Sequence, residues 1–322
     1  MITTVRGDLP PEELGFCLPH EHVLIDMWRN AWGDSSSAGI ITEKSRQLKE
    51  LGYYLEAGGR SIVDLTLPVI GQDPEGLAEI SDALDIHIVM GCGWYREPYY
   101  GPEIDTTETD ILAESLIDTI THGAGESGVR PGIIGEIGSH KHYVTGQEER
   151  VFRAAGLAGA ETGLAVTTHS TCSDVGLQHL KLLMASGMAA DRIVIGHADS
   201  YLRLPYLLAI LDSGAYVQFD NIGYRVPHVN LLEEDLVAMI VELLRRGWAE
   251  RILLSQDVCW KEHLRAYGGN GYAYLPGTFA STLEAAGVSD EDWKTMTEAN
   301  PRRVLDVPRR EFKSVAAPGL LD

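Results

Sequence analysis

Two histidines separated by a single residue, His20 and His22, are the feature of this chain with the clearest chemical potential. Side chains alternate between the two faces of an extended strand, so both imidazoles would point the same way and could bind one metal ion. Glu21 would then face the opposite side. Their apolar neighbours indicate a buried segment, and buried polar groups need partners. Because the spacing fits a hydrogen-bonded core pair as well as a metal site, the rest of the chain must decide.

Further candidate ligands stand where other short apolar runs end. They are Glu136, His169, His197 and Asp257. Taken singly, each histidine could be a hydrogen-bonded residue, and each carboxylate could be a helix cap or an ion-pair partner. Together with the first two histidines, they offer nitrogen and oxygen donors that suit two borderline divalent cations such as zinc, manganese or cobalt. The set therefore predicts a metal centre, provided that the fold brings its members together.

Eight short runs of β-branched or apolar residues could be the strands that position these donors. They are residues 17–25, 61–67, 87–92, 132–137, 164–169, 192–197, 215–219 and 251–256. Because each run is apolar on both faces and is followed by a helical pattern, the runs indicate a parallel sheet covered by helices. Their number favours a single-domain (β/α)8 TIM barrel over a doubly wound sheet, which would carry a glycine-rich phosphate turn after its first strand. In such a barrel the carboxyl ends of all strands meet at one face.

Amphipathic patterns between and after these strands predict the covering helices. They span residues 43–58, 75–84, 107–122, 147–162, 174–186, 205–213, 231–247, 278–286 and 290–299. Thr42, Asp73, Thr106 and Ser173 precede four of these patterns as candidate N-caps. We therefore expect one domain over residues 1–322, with a loosely held tail at residues 313–322.

Composition and charge argue against several classes of function. Apolar residues make up 44% of the chain and charged residues 23%, as in soluble globular proteins. No run approaches the roughly 18 apolar residues of a membrane span, and the first residues lack signal-peptide features, so we expect a cytoplasmic protein without a membrane partner. A net charge of −21 argues against nucleic-acid binding. We expect the four cysteines to be reduced, packed thiols: Cys17, Cys92, Cys172 and Cys259.

The candidate ligands and their surroundings resemble the phosphotriesterase family of the amidohydrolase superfamily. The resemblance runs from about Leu14 to Pro301 and includes Gly196-His197, residues 214–220 (GAYVQFD), residues 268–272 (GGNGY) and residues 298–301 (EANP). It implies a hydrolase that acts on a small molecule and forms a homodimer. It also implies two divalent transition-metal ions per chain, with zinc expected and manganese, cobalt, iron or nickel as alternatives.

The resemblance also implies which ligands hold which ion. His20, His22 and Asp257 would hold the more buried ion, and His169 and His197 would hold the more exposed one. In many relatives a carboxylated lysine bridges the two ions, but the fourth strand of this chain has no lysine and offers Glu136 instead. A glutamate carboxylate can bridge two cations without carbon dioxide. The chain is therefore similar to the glutamate-bridged "homology protein" branch rather than to the organophosphate hydrolases.

A mechanism follows from the same resemblance. A hydroxide bridging the two ions would attack a carbonyl or phosphoryl centre, the more exposed ion would stabilise the developing oxyanion, and Asp257 would relay the proton. Tyr95 matches a tyrosine that lines the site in lactonase relatives. An aromatic residue that simply fills the barrel mouth would look the same in the sequence.

Two departures from the organophosphate hydrolases concern residues around the expected metal centre. Asn221 follows Asp220 where those enzymes have a histidine, and Ser200 replaces an aspartate that lies three residues past the histidine of strand six. Asp199 stands one position earlier than that aspartate. Lactonase relatives tend to have an arginine where Asn221 stands, and Arg225 in the same loop could substitute for it.

Basic residues in the loops after the last two strands could bind an anionic part of a substrate. Arg225 and Lys261 are the candidates, with His228 and His263 nearby. We expect hydrolysis of a small ester-like substrate, a lactone, with weak phosphotriesterase side activity. One alternative is an amidase of N-acyl compounds. The other, from a different class, is a non-catalytic metal-containing protein that binds a small ligand.

Overall fold

A (β/α)8 barrel forms the body of the protein, as the computed structural model shows for residues 1–28, 37–224 and 232–307. Each of its parallel strands is hydrogen-bonded to the next one in chain order. The strands are β1 (Cys17–Glu21), β2 (Ser61–Asp64), β3 (His87–Cys92), β4 (Ile133–Gly138), β5 (Val166–His169), β6 (Ile193–Gly196), β7 (Tyr216–Phe219) and β8 (Ile252–Leu254). The eight predicted strands and the predicted fold class are confirmed.

The barrel closes between its first and last strands near the predicted ligands. The His20 N–H donates to Ser255 Oγ at 3.0 Å, and the Asp257 N–H donates to the His20 carbonyl at 3.1 Å. Strand β1 ends at Glu21 rather than at Ile25, and its register against β2 shifts between Leu18 and Glu21. The prediction of one continuous strand was wrong there, because Ile25 pairs instead with Ile41 in a separate two-stranded sheet.

Helices surround the barrel. They are α1 (Lys44–Glu56), α2 (Pro74–Leu84), α3 (Pro102–Thr106), α4 (Thr109–His122), α5 (Gly146–Thr162), α6 (Gly176–Ala185), α7 (Leu204–Asp212), α8 (Glu233–Arg245), α9 (Ala280–Ala285), α10 (Asp290–Lys294) and α11 (Asn300–Leu305). Every predicted helical pattern contains a helix. The last pattern, residues 290–299, forms α10 and a π-helical turn (Thr295–Ala299) that leads directly into α11.

Helix starts were predicted less well than helix positions. Asp73 caps α2 as expected, because its side chain accepts the Gly76 N–H at 2.9 Å. Thr42, Thr106 and Ser173 do not cap, since α1, α4 and α6 begin later, at the N-cap residues Glu43, Glu108 and Val175. A complete capping box was missed: the Thr145 side chain accepts the Glu148 N–H, and the Glu148 carboxylate accepts the Thr145 N–H.

Two apolar clusters form the interior. The larger one lies mainly between the strands and the helices. The smaller one fills the amino end of the barrel, where a short hairpin (Ile2–Thr4 and Gly7–Leu9) contributes Ile2 and Leu9. The four cysteines are free, three of them buried. In the described part of the chain, no helix is both long and apolar enough for a membrane span. The expected tail, residues 313–322, lies outside the described residues.

Candidate metal centre

All the predicted metal ligands lie at the carboxyl end of the barrel. His20 is the penultimate residue of β1 and His22 lies just beyond that strand. Glu136 lies in β4, His169 ends β5, His197 follows β6 and Asp257 follows β8. The side chains of His20 and Glu136 are almost inaccessible, and that of Asp257 is 14% exposed. The fold thus places these donors around one buried space, as the sequence predicts.

His20, His22 and Asp257 form the first group of donors. His22 Nε2 lies 3.2 Å from Asp257 Oδ1, and His20 Nε2 lies 3.8 Å from the same oxygen. The ligand atoms of these residues all fall within 4.8 Å of one another. This is the set expected to hold the more buried ion.

Glu136 lies between that group and the remaining histidines. Its Oε2 is 2.9 Å from His169 Nδ1, 3.4 Å from His20 Nε2 and 3.5 Å from His197 Nε2. Its Oε1 is 3.5 Å from His22 Nε2. One carboxylate therefore reaches all four histidines, which is the position that a bridging ligand would need.

The spacing of these atoms fits metal ligands. Bonds from nitrogen or oxygen to zinc are about 2.1 Å long, so two ligands of one tetrahedral ion lie about 3.4 Å apart. Most of the contacts from the Nε2 atoms to Glu136 and Asp257 are close to that separation. His20 Nε2 and Asp257 Oδ1 are also buried without a hydrogen-bond partner, which is costly unless a cation satisfies them. The donor set therefore fits a pair of divalent ions.

Electrostatics keep both carboxylates of the centre in the ionised form that binds metals. Burial favours the neutral form of Glu136, but the imidazoles of His169 and His20 outweigh it and hold the pKa of Glu136 well below its usual range. For Asp257, burial is likewise outweighed, here by the His22 ring 3.2 Å away and by the imidazoles of His20 and His197, so its pKa is lowered. Burial lowers the pKa of His169 to about 4. For the other three histidines, His20, His22 and His197, burial is outweighed by nearby carboxylates, which raise the pKa.

Asp220, which follows β7, orients two of the histidines. Its Oδ2 accepts from His20 Nδ1 at 2.8 Å, and its Oδ1 accepts from His197 Nδ1 at 2.7 Å. Both contacts turn the Nε2 atoms toward the centre and fix the tautomers of the two rings. Asp220 was not among the predicted site residues, although it stands at the carboxyl end of a strand, as the ligands do. Thr66 Oγ1 contacts His22 Nδ1 in a similar way at 3.0 Å.

Glu21 faces away from the centre, as predicted, but holds the segment that carries Asp257. Its Oε1 accepts the Gln256 N–H and its Oε2 accepts the Val258 N–H, both at 2.8 Å. Asp257, between them, has a φ of +49°, and His197 has a φ of +50°. Left-handed backbone is rare for residues other than glycine and concentrates at functional sites. Glu21 therefore stabilises an unfavourable backbone conformation at a predicted ligand.

Tyr95 contacts the predicted ligands from the loop after β3. Its Oη lies 3.5 Å from His169 Nδ1, and the two ring centroids are 5.0 Å apart. The side chain is buried, and burial raises the pKa of Tyr95 well above its usual value, so the hydroxyl stays neutral. The loop thus presents a neutral hydroxyl beside His169.

Two of the residues that depart from the organophosphate hydrolases, Asp199 and Asn221, hydrogen-bond to each other. Asp199 accepts the Asn221 N–H at 2.8 Å and the Asn221 side-chain amide at 2.7 Å. Ser200 Oγ instead accepts the Cys172 N–H, at 2.9 Å. Asn221 also approaches Asp220 Oδ1 at 3.4 Å, so this pair packs against the carboxylate that orients the histidines. An amide cannot relay a proton as a histidine would.

Of the two cations predicted to bind the substrate, the structure describes Lys261 but not Arg225. Lys261 begins a 3-10 turn (Lys261–His263) and lines a surface hollow together with Glu43 and Arg46. No predicted metal ligand lines that hollow. Arg225 and the neighbouring His228 lie outside the described residues.

Comparisons with known proteins agree with this geometry. Residues 1–305 match the model of the Phosphotriesterase family. The phosphotriesterase homology protein of Escherichia coli K12 is 33% identical over 288 residues, which cover 89% of this chain and 96% of that protein. The crystal structure of the E. coli phosphotriesterase homology protein, with phosphate in its active site, has a TM-score of 0.85 at 32% identity and covers 91% of this chain and 99% of its own.

Two further relatives differ in activity. An N-acetyltaurine hydrolase of Dictyostelium discoideum is 27% identical over 276 residues, which cover 83% of this chain and 74% of that protein. The structure of a mutant phosphotriesterase-like lactonase of Deinococcus radiodurans has a TM-score of 0.82 at 26% identity and covers 95% of this chain and all of its own. Enzymes of similar sequence thus cleave amides and lactones.

Proposed function

Since this chain belongs to the phosphotriesterase family, we propose that it uses two divalent metal ions to hydrolyse a small ester-like substrate, a lactone. Relatives of this chain include an N-acetyltaurine hydrolase and a lactonase, so the chain is an enzyme of a hydrolase family. The observation that carries the binuclear proposal is the position of Glu136, whose two oxygens reach all four histidines.

The proposed ions would be held by two sets of side chains joined by one carboxylate. His20, His22 and Asp257 would hold one ion, His169 and His197 the other, and Glu136 both. Two such ions lower the pKa of a shared water toward neutrality and polarise the oxygen of a substrate. Zinc suits four imidazoles and two carboxylates, and manganese, cobalt, iron and nickel are the alternatives. We also propose a homodimer, as the family resemblance implies, which light scattering would report as twice 35.2 kDa.

Asp257 is the ligand that can move a proton. Its side chain is 14% exposed, whereas that of Glu136 is 3% exposed. Its backbone is fixed, because its N–H donates to the His20 carbonyl and Tyr224 Oη donates to its carbonyl at 2.8 Å. The carboxylate can accept a proton from the attacking water and donate it to the leaving oxygen. The neutral Tyr95 hydroxyl can donate a hydrogen bond to the substrate beside His169.

A second candidate function is hydrolysis of the amide bond in an N-acyl compound. The N-acetyltaurine hydrolase of D. discoideum favours this alternative, since its similarity to this chain covers 83% of this chain. The same groups would act, but the leaving amine must be protonated, so the requirement for Asp257 as a proton donor would be stricter than for a lactone.

A substrate panel separates the candidates. Metal-loaded protein would be assayed with γ-butyrolactone, N-acetylglycine and diethyl 4-nitrophenyl phosphate, with a Glu136→Ala variant as the control. We expect lactone opening to be fastest, triester cleavage to be weak, and all turnover to disappear in the variant. Cleavage of the amide without the lactone would replace the lactonase proposal with the amidase. If fully metal-loaded protein cleaves none of the panel, these substrate assignments are wrong.

A further inference from the structure

An arginine in the loop after β3, Arg96, lies beside the candidate metal centre. Its Cζ is 4.9 Å from the ring centroid of Tyr95 and 5.4 Å from that of Tyr99. These two rings are themselves in contact, with centroids 5.1 Å apart, and both are buried. The guanidinium is therefore held by cation–π contacts in a defined place rather than extended into solvent.

In the part of the chain that the structure describes, Arg96 has no carboxylate partner, although the whole chain has 47 acidic residues. Among the described residues, no aspartate or glutamate lies within ion-pair distance of it, not even the adjacent Glu97. Its Nε is buried without a hydrogen-bond partner, while the residue as a whole is partly exposed. Arg150 in α5 instead donates to the carbonyls of Ile104 and Thr107. The guanidinium, which also contacts Tyr99 through a side-chain hydrogen bond, is thus a fixed cation without a carboxylate counter-ion among the described residues, and such a cation can bind an anion.

The position of this cation relates it to the substrate. Arg96 contacts one side of the Tyr95 ring, and the same tyrosine contacts His169 through ring packing and its hydroxyl. A single aromatic side chain thus connects the guanidinium to the candidate metal centre. A substrate whose reacting carbonyl lies at the ions could place a charged group on a short spacer near Arg96. Lys261, the cation predicted from the sequence, lines a different hollow with Glu43 and Arg46.

We propose that Arg96 binds an anionic group of the substrate, a carboxylate or a sulfonate, and so selects small anionic lactones or N-acyl compounds. This proposal rests on the proposed hydrolase function for its kinetic consequence, but the binding of an anion to Arg96 can be measured without turnover. Arg96 is a specificity residue here and takes no part in bond cleavage.

The test compares probes that differ only in charge. N-acetylglycine and N-acetylglycinamide form one pair, and 5-oxotetrahydrofuran-2-carboxylate and its carboxamide form the other. Binding of each probe to metal-loaded protein is measured by calorimetry, and KM and kcat are measured where turnover occurs. Arg96→Gln should weaken binding of the anionic probes, and raise their KM, by about 10- to 100-fold, the value of a charge-assisted hydrogen bond. The neutral probes and the metal content should be unchanged, and Arg96→Lys should restore part of the loss.

Arg265 provides a matched control. It too stacks on a tyrosine, with Cζ 4.3 Å from the Tyr53 ring, but it lies on the exposed surface. Arg265→Gln should leave binding of all four probes unchanged. Equal losses for charged and neutral probes in Arg96→Gln would show a structural role and overturn the proposal, as would a charge-selective loss in Lys261→Gln alone. If wild-type protein turns over none of the probes but binds the anions through Arg96, these substrate assignments fail and the anion site stands.

Discussion

The two ends of the barrel interior are built from the same strands but on different physical principles. At the amino end the strands contribute apolar side chains to one cluster: Cys17, Val63, Val89, Ile133, Ala165, Val194, Tyr216 and Leu253. At the carboxyl end, a few residues further along these strands, the interior is made of imidazoles and carboxylates. His20 is three residues beyond Cys17, and Asp257 is four beyond Leu253.

We expect the amino end of the barrel to determine stability and the carboxyl end to determine metal binding and catalysis. The amino end is held by packing, so what matters there is the volume of each side chain. At the carboxyl end, polar groups are held by specific partners, such as Asp220 for His20 Nδ1 or Glu21 for the segment around Asp257. Substitutions at the carboxyl end should therefore affect metal binding and turnover, and those at the amino end should affect the free energy of unfolding.

Glu136→Ala should have the largest effect on activity. It removes the carboxylate that reaches all four histidines, so we expect loss of metal retention and of turnover to background. Metal analysis and the substrate assay check this. The secondary structure should persist, as circular dichroism would show, because the amino-end cluster is untouched. A variant that keeps its metal and its activity would rule out Glu136 as the bridge.

Asp220→Asn should have the next largest effect. An asparagine offers one acceptor where His20 and His197 each need one, so at least one ring loses its orientation. We expect metal affinity to fall about 10- to 100-fold, measured by competition with a chelator. Asp199→Asn is the matched control, because Asp199 is equally buried but binds Asn221 rather than a ligand. Equal losses in the two variants would contradict the orienting role.

Glu21→Gln should lower kcat about 10-fold, with a smaller change in metal content. The amide nitrogen would face one of the backbone N–H groups that flank Asp257, so the segment would shift. The kinetic constants and the metal content test this. Glu50→Gln serves as the control, since buried Glu50 accepts the N–H groups of Arg265 and Ala266, neither of which is next to a predicted ligand. The prediction fails if both variants lose only stability.

Leu253→Ala should have the smallest effect on turnover. Leu253 is completely buried in the amino-end cluster, and truncation of a buried leucine costs about 2–5 kcal/mol in the free energy of unfolding. Urea denaturation measures this loss. Activity and metal content per folded molecule should equal those of the wild type. A metal-binding defect in the folded variant would show that the two ends are not independent.

Most of the fold and the placement of the candidate ligands could be predicted from the sequence, because both follow from local patterns. Runs that are apolar on both faces form parallel strands, and a polar residue at the end of such a run lies at the carboxyl face of the barrel. His169 and His197 could be placed by that rule alone. The exact start of a helix depends on which of several neighbouring residues caps it. For this reason the predicted N-caps Thr42 and Thr106 were wrong and the N-cap Thr145 was missed.

The partners of the ligands could not be predicted in the same way. His20 and Asp220 are 200 residues apart in the chain, and their contact depends on the barrel closing with a particular register. Glu21 was correctly placed on the opposite face, but its contact with the segment after β8 also depends on that closure. Nothing in the sequence distinguishes Arg96 from a surface arginine, since the absence of a carboxylate partner among the described residues is a property of the folded loop.

We propose that Glu136 joins two metal ions without a modified lysine. Metal-free protein would be titrated with zinc in buffer depleted of carbon dioxide, with bound metal and lactone hydrolysis followed together. We expect two equivalents of metal to bind per chain, with activity reaching its maximum at the second equivalent and no increase on addition of bicarbonate. Fewer than one bound equivalent, or a requirement for bicarbonate, would show that Glu136 does not bridge two ions.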